Sequence, residues 1–195
     1  MSGFSAQQVA QLLKPIRPER VLRDGKGHSH VSQQDITAHL IRVFGFGSFD
    51  TDLVTLDVVF ERERLDDKGK PLNRWDVCYR AVMRLTIRDD TGREVCHYED
   101  GSTATAQNQT LGDAHDLAMK SAISLAKKRT AINLGDQFGL SLYNKGQVSA
   151  LVKGTLVRPS TRLSDETEKD VQEGVEQQVS LGNDEIEREL DGDAA

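Results

Sequence analysis

Apolar side chains near the start of the chain recur at helical spacing in two segments. Residues 5–14 have the composition of a short amphipathic helix that Pro15 ends. A polar, glycine-bearing loop is predicted over residues 23–30. Ser32 or Asp35 is a suitable cap for a second helix. The apolar positions of this helix recur three and four residues apart before two glycines end it: Ile36, Leu40, Ile41, Phe44, then Gly45 and Gly47.

The middle third of the sequence changes from a helical period to a period of two. Residues 53–64, 75–88 and 93–105 alternate between apolar and polar side chains, with turn signals at 66–71 and 89–92. Three antiparallel strands in a meander are predicted. The faces expected to be buried carry Val54, Leu56, Val58 and Phe60 in the first strand, and Val77, Tyr79, Ala81, Met83, Leu85 and Ile87 in the second.

The helical period returns from Thr110 to about Gly135, with many alanines. Its apolar positions include Leu111, Ala114, Ala118, Leu125 and Ile132. A three-stranded sheet alone leaves its apolar side in water, so we expect this helix to pack across one sheet face. The predicted class is α+β: a three-stranded antiparallel β-meander with a long helix across it, preceded by N-terminal helices.

Charge divides the chain into two parts. Residues 159–195 hold 12 Asp and Glu against three Lys and Arg, whereas residues 1–158 hold 22 basic and 19 acidic side chains. The net charge of −6 therefore conceals a cationic body. We predict one domain over residues 1–158 and an acidic tail over residues 159–195 that is mostly disordered, because it has few large apolar side chains to bury.

The sequence also indicates the cellular compartment of the protein. No apolar stretch approaches the ~20 residues that span a bilayer, and the first 15 residues lack the apolar centre of a signal peptide. Cys78 and Cys96 both lie in predicted strands, which favours two reduced, buried thiols over a disulfide framework or a cysteine-rich zinc site. We expect a cytoplasmic protein with no membrane partner.

The predicted last helix carries a positively charged ridge. Its members lie three or four residues apart, within reach of one another on a helix. A row of phosphates would suit this ridge, although a solvated helix face has the same composition. The ridge consists of Lys120, Ser124, Lys127 and Lys128.

The central predicted strand carries a second row of cations. Arg80, Arg84 and Arg88 recur every four residues, so they share a face and span roughly 27 Å at ~3.4 Å per residue. This row is a candidate track for a phosphate backbone. The alternative is a water-facing sheet surface on which Glu94 or Asp100 neutralises the arginines.

The block over residues 120–145 contains three short motifs in a fixed order: Lys128-Arg129, Leu134-Gly-Asp-Gln-Phe-Gly139 and Leu142-Tyr-Asn-Lys145. It resembles, without a gap, the signature of the Rad52 family of single-strand annealing proteins. In that family an Ala-rich helix with a Lys-Arg pair runs into a Phe-Gly-Asn-x-Leu-Gly element and a Leu-Tyr-Asp-Lys-like end. Residues 44–49 and 98–102 resemble two further family segments more loosely.

The resemblance implies a ring-forming oligomer that holds single-stranded DNA in a positively charged groove and anneals complementary strands without ATP, metal or cofactor. It therefore predicts a DNA-binding protein of homologous recombination or repair that is not an enzyme. By position, Lys128 and Arg129 match the DNA-contacting pair, and Lys120 matches a basic position two turns earlier. Arg23 approximates an N-terminal arginine of the groove, with a spacing one residue short. Ile132 stands where the family often has arginine, and Lys127 is a candidate replacement.

Two other classes of function remain open from the sequence. A non-DNA oligomeric scaffold protein is one, and a metal-dependent nuclease is the other, since two-metal sites need converging carboxylates. The acidic tail is expected to fold back on the DNA groove or to dock another replication or repair protein. The nuclease would draw on His28, His30, Asp89, Asp90, Glu99, Asp100, Asp113, His115 and Asp116.

Overall fold

A computed structural model describes residues 3–155 of the protein, so the predicted tail over residues 159–195 lies outside the described residues. The three long strands, Phe49–Leu65, Pro71–Arg88 and Glu94–Gln109, form one antiparallel sheet in that order, which confirms the predicted meander. No helix in the described range is long and apolar enough to cross a membrane. The elements are α1 (Ala6–Leu12), β1 (Leu22–Arg23), β2 (Ser29–His30), α2 (Gln33–Phe44), β3 (Phe49–Leu65), β4 (Pro71–Arg88), β5 (Glu94–Gln109) and α3 (Leu111–Ile132), with 3-10 turns at Pro18–Arg20, Asp136–Phe138 and Leu140–Tyr143.

Both N-terminal helices begin at serine caps. The Ser5 hydroxyl accepts a hydrogen bond from the backbone N–H of Gln8, and the Gln8 side chain accepts one from the Ser5 backbone N–H. Of the two candidate caps for α2, Ser32 is the one used, since its hydroxyl accepts the N–H of Asp35. Gly45 ends α2 at φ +93°, a conformation that a side chain disfavours.

The segment predicted as a loop over residues 23–30 contains a small hairpin. Strand β1 pairs with β2 so that Arg23 lies opposite Ser29. The carboxylate of Asp24 organises the connection by accepting the backbone N–H groups of Lys26 and His28. Two-residue strands are too short to show an alternating pattern, so periodicity does not predict them.

Strand β4 separates an apolar face from a polar one. Its odd-numbered side chains from Val77 to Ile87 are buried or half-buried and face α3 and the adjoining core, as predicted. Successive side chains of a strand point to opposite sides, so Arg80, Arg84 and Arg88 lie on the sheet face away from α3. The sheet therefore separates these three arginines from the predicted site residues on α3.

The predicted buried face of β3 is wrong, since Leu56 is half-buried whereas Val54, Val58 and Phe60 are 42 to 49% exposed. The register slips between Leu53 and Thr55 and again between Val58 and Phe60, which marks irregular, bulged pairing. Val58 lies opposite Tyr79, whereas Phe60 lies opposite Cys78, so the two side chains share no face. Each extra residue reverses the alternation, and sequence alternation alone does not reveal it.

Helix α3 packs on the sheet through small side chains. The buried side chains recur every four residues, and the Thr130 hydroxyl donates to the carbonyl of Ala126. Leu111 and Leu125 are among the predicted apolar positions of this helix, but they are 40% and 37% exposed, because they lie off the buried stripe. The buried stripe consists of Ala114, Ala118, Ala122, Ala126 and Thr130.

A second core joins the N-terminal helices to one end of the sheet. Leu40 of α2 and Phe138 of the 3-10 turn after α3 are almost completely buried, and they belong to one cluster with Leu85 and Ile87 of β4. The predicted helices α1 and α2 therefore belong to the same packed body as the meander.

The two cysteines do not meet. Cys78 lies opposite Thr105 on β5, while Cys96 lies opposite Ile87, nine residues further along β4. Both thiols are free, and burial raises the pKa of Cys96.

Enlarging the alanine stripe is expected to destabilise the fold. Ala122→Leu places three extra carbons between α3 and β4 and should lower the free energy of unfolding by about 1–3 kcal/mol. Denaturant titration followed by circular dichroism measures this change. Lys120→Leu adds the same side chain on the exposed side of α3 and should change the stability by less than about 0.5 kcal/mol; equal effects of the two substitutions would contradict the packing argument.

Candidate functional site

The last turns of α3 form one wall of a cleft of about 460 Å³, called here the Lys128 cleft. The opposite walls come from the β1–β2 hairpin, from α2 and from the 3-10 turns after α3. Its apolar side chains include Val31, Ile36, Leu125, Phe138 and Leu142. The polar side chains are His28, Ser29, His30, Ser102, Lys128, Arg129 and Tyr143.

Lys128 and Arg129 reach this cleft because α3 turns its alanine stripe toward the sheet, which leaves these two side chains off the buried stripe. The guanidinium of Arg129 donates to the carboxylate of Asp100 on β5 at 3.1 Å, and this hydrogen bond raises the pKa of Arg129. Lys128 has no carboxylate of the described residues within 4.0 Å. Its partial burial lowers its pKa, so an incoming anion beside it would offset a desolvation cost.

The predicted ridge along α3 is divided by its neighbours. Lys127 donates to the Thr37 hydroxyl at 3.1 Å, and Ser124 donates to the Gln33 amide oxygen at 2.8 Å, so both side chains tie α3 to α2. Burial also lowers the pKa of Lys127. Lys120 is 69% exposed and forms an ion pair with Asp116 one turn earlier. These residues therefore do not present one continuous row of free charge.

Each arginine of the predicted track on β4 has a carboxylate partner. Arg80 donates to Asp57, Arg84 to Glu99 and Arg88 to Asp50, at 2.8, 2.7 and 2.8 Å respectively. The partners come from the strands on either side, rather than from Glu94 or Asp100. The track thus lies on the sheet face away from the Lys128 cleft, and its positive charge is balanced locally.

Arg23 lies closer to the cleft than its distance in sequence indicates. It is exposed on β1, opposite Ser29, and Ser29 lines the cleft. No carboxylate of the described residues lies within 4.0 Å of the Arg23 guanidinium. The structure therefore gathers Lys128, Arg129 and the hairpin that carries Arg23 around one cleft, and it places Arg80, Arg84 and Arg88 elsewhere.

The sequence that forms this cleft matches a known protein family. The model of the Rad52/22 family of double-strand break repair proteins matches residues 5–158, which include both walls of the cleft. The chain belongs to the Rad52/22 family.

Three fungal relatives carry the description DNA repair and recombination protein RAD52. The Candida glabrata protein is 28% identical over 177 residues, which cover 83% of this chain and 33% of that protein. The Kluyveromyces lactis protein is 28% identical over 137 residues, covering 64% of this chain and 28% of that protein. The Eremothecium gossypii protein is 30% identical over 113 residues, covering 57% and 23%. The matches thus span a third or less of each relative.

Several side chains of the cleft are not among the DNA-site residues that the sequence predicts. His28 and His30 are candidates there only as metal ligands, and Tyr143 only as part of the Rad52-like motif. Tyr143 is 67% exposed at the cleft, and its hydroxyl adds to the effect of Asp100 in raising the pKa of Arg129. The one sequence signal for this aromatic side chain is its place in the Leu-Tyr-Asn-Lys element, since the fold that brings it to Arg129 is not local.

The residues that the nuclease alternative requires do not converge. Asp89 accepts the backbone N–H groups of Thr91 and Arg93 in the β4–β5 turn. His115 hydrogen-bonds the Tyr79 hydroxyl through Nδ1 and the Glu61 carboxylate through Nε2. Within residues 3–155, no group of three or more His, Cys, Asp or Glu is arranged to hold a metal ion.

Proposed function

We propose that this Rad52/22 family chain binds single-stranded DNA and anneals complementary strands in recombination or repair. The observation that carries the proposal is the Lys128 cleft, where Lys128 lacks a carboxylate partner among the described residues and lies beside Arg129 and the β1–β2 hairpin. The names of the fungal relatives as repair and recombination proteins support the same biological setting. Its cytoplasmic location stays a prediction.

Annealing requires strands to be held by their phosphates, because the base edges must remain free to pair. Lysine and arginine supply such contacts without reading sequence. Only 5% of the residues are aromatic, which fits backbone binding better than a platform that buries bases against rings. Strand pairing is itself downhill in free energy, so the protein acts by concentrating and aligning strands. We accordingly propose no ATP, metal or covalent step and no enzymatic activity.

We also propose that the chain assembles into a ring. The sheet ends at β3, whose outer backbone edge has no partner strand among the described residues. Between Leu53 and Phe60, five large apolar side chains of this strand are 42 to 53% exposed. A long edge strand with exposed apolar side chains favours association with another chain. The side chains are Leu53, Val54, Val58, Val59 and Phe60.

Removing the cations of the Lys128 cleft is expected to abolish annealing. Lys128→Ala with Arg129→Ala should weaken binding of an oligothymidine at least tenfold, since charged hydrogen bonds to phosphate contribute about 1.5–3 kcal/mol each. The slope of log affinity against log salt should fall by about 0.7 for each phosphate that the variant no longer binds. Fluorescence anisotropy and annealing of complementary oligonucleotides without ATP measure both effects.

Arg84→Ala is the matched control for this variant, because Arg84 is already neutralised by Glu99 on the other sheet face. It should change affinity less than threefold. Equal losses in the two variants would assign the DNA to the arginine track instead. Degradation of a labelled strand in Mg²⁺ would favour the nuclease, and binding that ignores salt would favour a non-DNA scaffold.

Freeing Arg129 from its internal partner is expected to strengthen DNA binding. In Asp100→Asn the guanidinium no longer has a carboxylate that competes with phosphate, so affinity should rise roughly three- to tenfold and the salt dependence should steepen by about 0.7. Glu99→Gln removes the same charge from the neighbouring residue of β5, on the opposite sheet face. An equal gain in both variants would mean that general charge, rather than Arg129, is responsible.

Placing charge on the exposed β3 edge is expected to break up the ring. Val59→Glu introduces a carboxylate at a side chain position that is 53% exposed, at no cost to the monomer core. Light scattering should then report monomers or small oligomers instead of a closed ring. Gln107→Glu adds the same charge on the opposite edge strand, β5, and should leave the mass of the ring unchanged. If Val59→Glu also forms a ring of unchanged mass, the β3 edge is not part of the ring interface.

A further inference from the structure

A second cleft lies between α1, the Pro18–Arg20 turn and α2, and it is called here the α1–α2 cleft. Its volume is about 770 Å³, and polar side chains line most of it. Four of its lining side chains are cations, whereas Glu19 is its one carboxylate among the described residues. The cations are Lys14, Arg17, Arg20 and Arg42.

Three of these cations are poorly neutralised. The Arg20 side chain is 9% exposed and binds Asp35 through three hydrogen bonds of 2.7 to 3.2 Å, so its charge is paired within the fold. Arg17 lies 3.9 Å from Glu19, at the limit of an ion pair. Lys14 and Arg42 have no carboxylate of the described residues within 4.0 Å. Within residues 3–155, the cleft therefore offers the unpaired charges of Lys14 and Arg42 and the weakly paired charge of Arg17.

Burial and the neighbouring charges change the pKa of His39, which also lines this cleft. It is buried, and burial together with the charges of Arg20 and Arg42 lowers its pKa to about 4. An Arg42 guanidinium N–H group lies 3.0 Å from Nδ1 of the imidazole, where a neutral ring accepts a hydrogen bond. The ring thus stays uncharged near neutral pH, and the remaining cations dominate the potential in the cleft.

Val152, near the end of the described chain, binds the residue that precedes Gln137 of this cleft. The backbone N–H of Val152 donates to the carboxylate of Asp136 at 3.0 Å. The residue after Asp136, Gln137, lines the cleft and accepts hydrogen bonds from Arg20 and Gln11. Residue 159 follows Val152 by seven positions, and a chain of that length reaches up to about 23 Å.

We propose that the α1–α2 cleft binds the acidic segment of the same protein, residues 159–195. That segment carries 12 carboxylates and three cations, so its charge complements the unbalanced cations of the cleft. Its tether begins at Val152, beside the neighbour of a lining side chain, which gives it a high effective concentration at this surface. Arginine side chains suit carboxylates because their guanidinium groups donate in pairs.

The charge pattern favours this cleft over the Lys128 cleft as the binding surface. In the Lys128 cleft Arg129 is already paired with Asp100, which leaves Lys128 as the unbalanced cation among the described lining side chains, with Arg23 outside the lining on the hairpin. The α1–α2 cleft offers Lys14, Arg17 and Arg42 together. An acidic segment held there neutralises a surface that would otherwise attract nucleic acid, and it leaves the Lys128 cleft open.

Zero-length carbodiimide crosslinking of the full chain tests the proposal without DNA. The reagent joins a lysine amine to a carboxylate in direct contact, and mass spectrometry identifies the linked peptides. Links from Lys14 to carboxylates of residues 159–195 should dominate over links from Lys120, Lys127 and Lys128. Links within the segment through Lys169 provide the internal standard. In 1 M salt, where charges are screened beyond ~3 Å, the Lys14 links should fall at least fivefold.

Charge removal in the cleft gives the decisive comparison. The double variant Arg17→Gln with Arg42→Gln keeps Lys14 but should lower the number of Lys14 links at least fivefold. Arg17→Gln alone should lower it about twofold, and this single variant replaces the double variant if the latter folds poorly. The control, Arg74→Gln with Arg93→Gln, removes two arginines outside both clefts and should change nothing. Links that favour Lys128, or Lys14 links unaffected by the cleft variants, would overturn the proposal.

Discussion

The close approach of α3 to β4 is the constraint on which the rest of the structure depends. It is possible because alanines recur every four residues along the buried side of the helix, from Ala114 to Ala126. The approach fixes the rotation of α3 about its axis, so Lys128 and Arg129 lie off the buried stripe and line the Lys128 cleft. A bulkier stripe would alter both the distance and the rotation, and the two cations would no longer point into one cleft.

Neutralisation, more than the number of cations, distinguishes the surfaces of this protein. The sheet face carries Arg80, Arg84 and Arg88, and each has a carboxylate within 2.8 Å. Such exposed pairs add little stability, yet they cancel the long-range field that would attract phosphate. Lys128 and Arg42 lack such partners among the described residues and lie in concave surfaces. A cation-rich strand is therefore a weaker guide to a binding site than a few unbalanced cations in a cleft.

Sequence patterns predict the elements that follow a long, regular period. The alternation over β4 and the alanine-rich repeat of α3 identify the meander and the helix across it, because each pattern reports one buried face. The hairpin at Arg23 is too short for such a pattern, and the irregular pairing near Val58 reverses a face without any change in composition. The predicted site is divided for a similar reason: ion pairs such as Arg84–Glu99 join residues on different strands, and their register is set by the sheet as a whole.

One contact between aromatic rings joins a lining residue of each cleft. Phe138 lines the Lys128 cleft, His39 lines the α1–α2 cleft, and their rings meet edge to face with centroids 5.0 Å apart. His39 stays neutral because burial and the neighbouring arginines lower its pKa to about 4, so this wall carries no charge of its own. An anion on one side is therefore separated from the other side by packed, uncharged rings. Two anionic ligands can occupy the clefts together without direct contact, which is the arrangement required if DNA binds on one side while the acidic segment binds on the other.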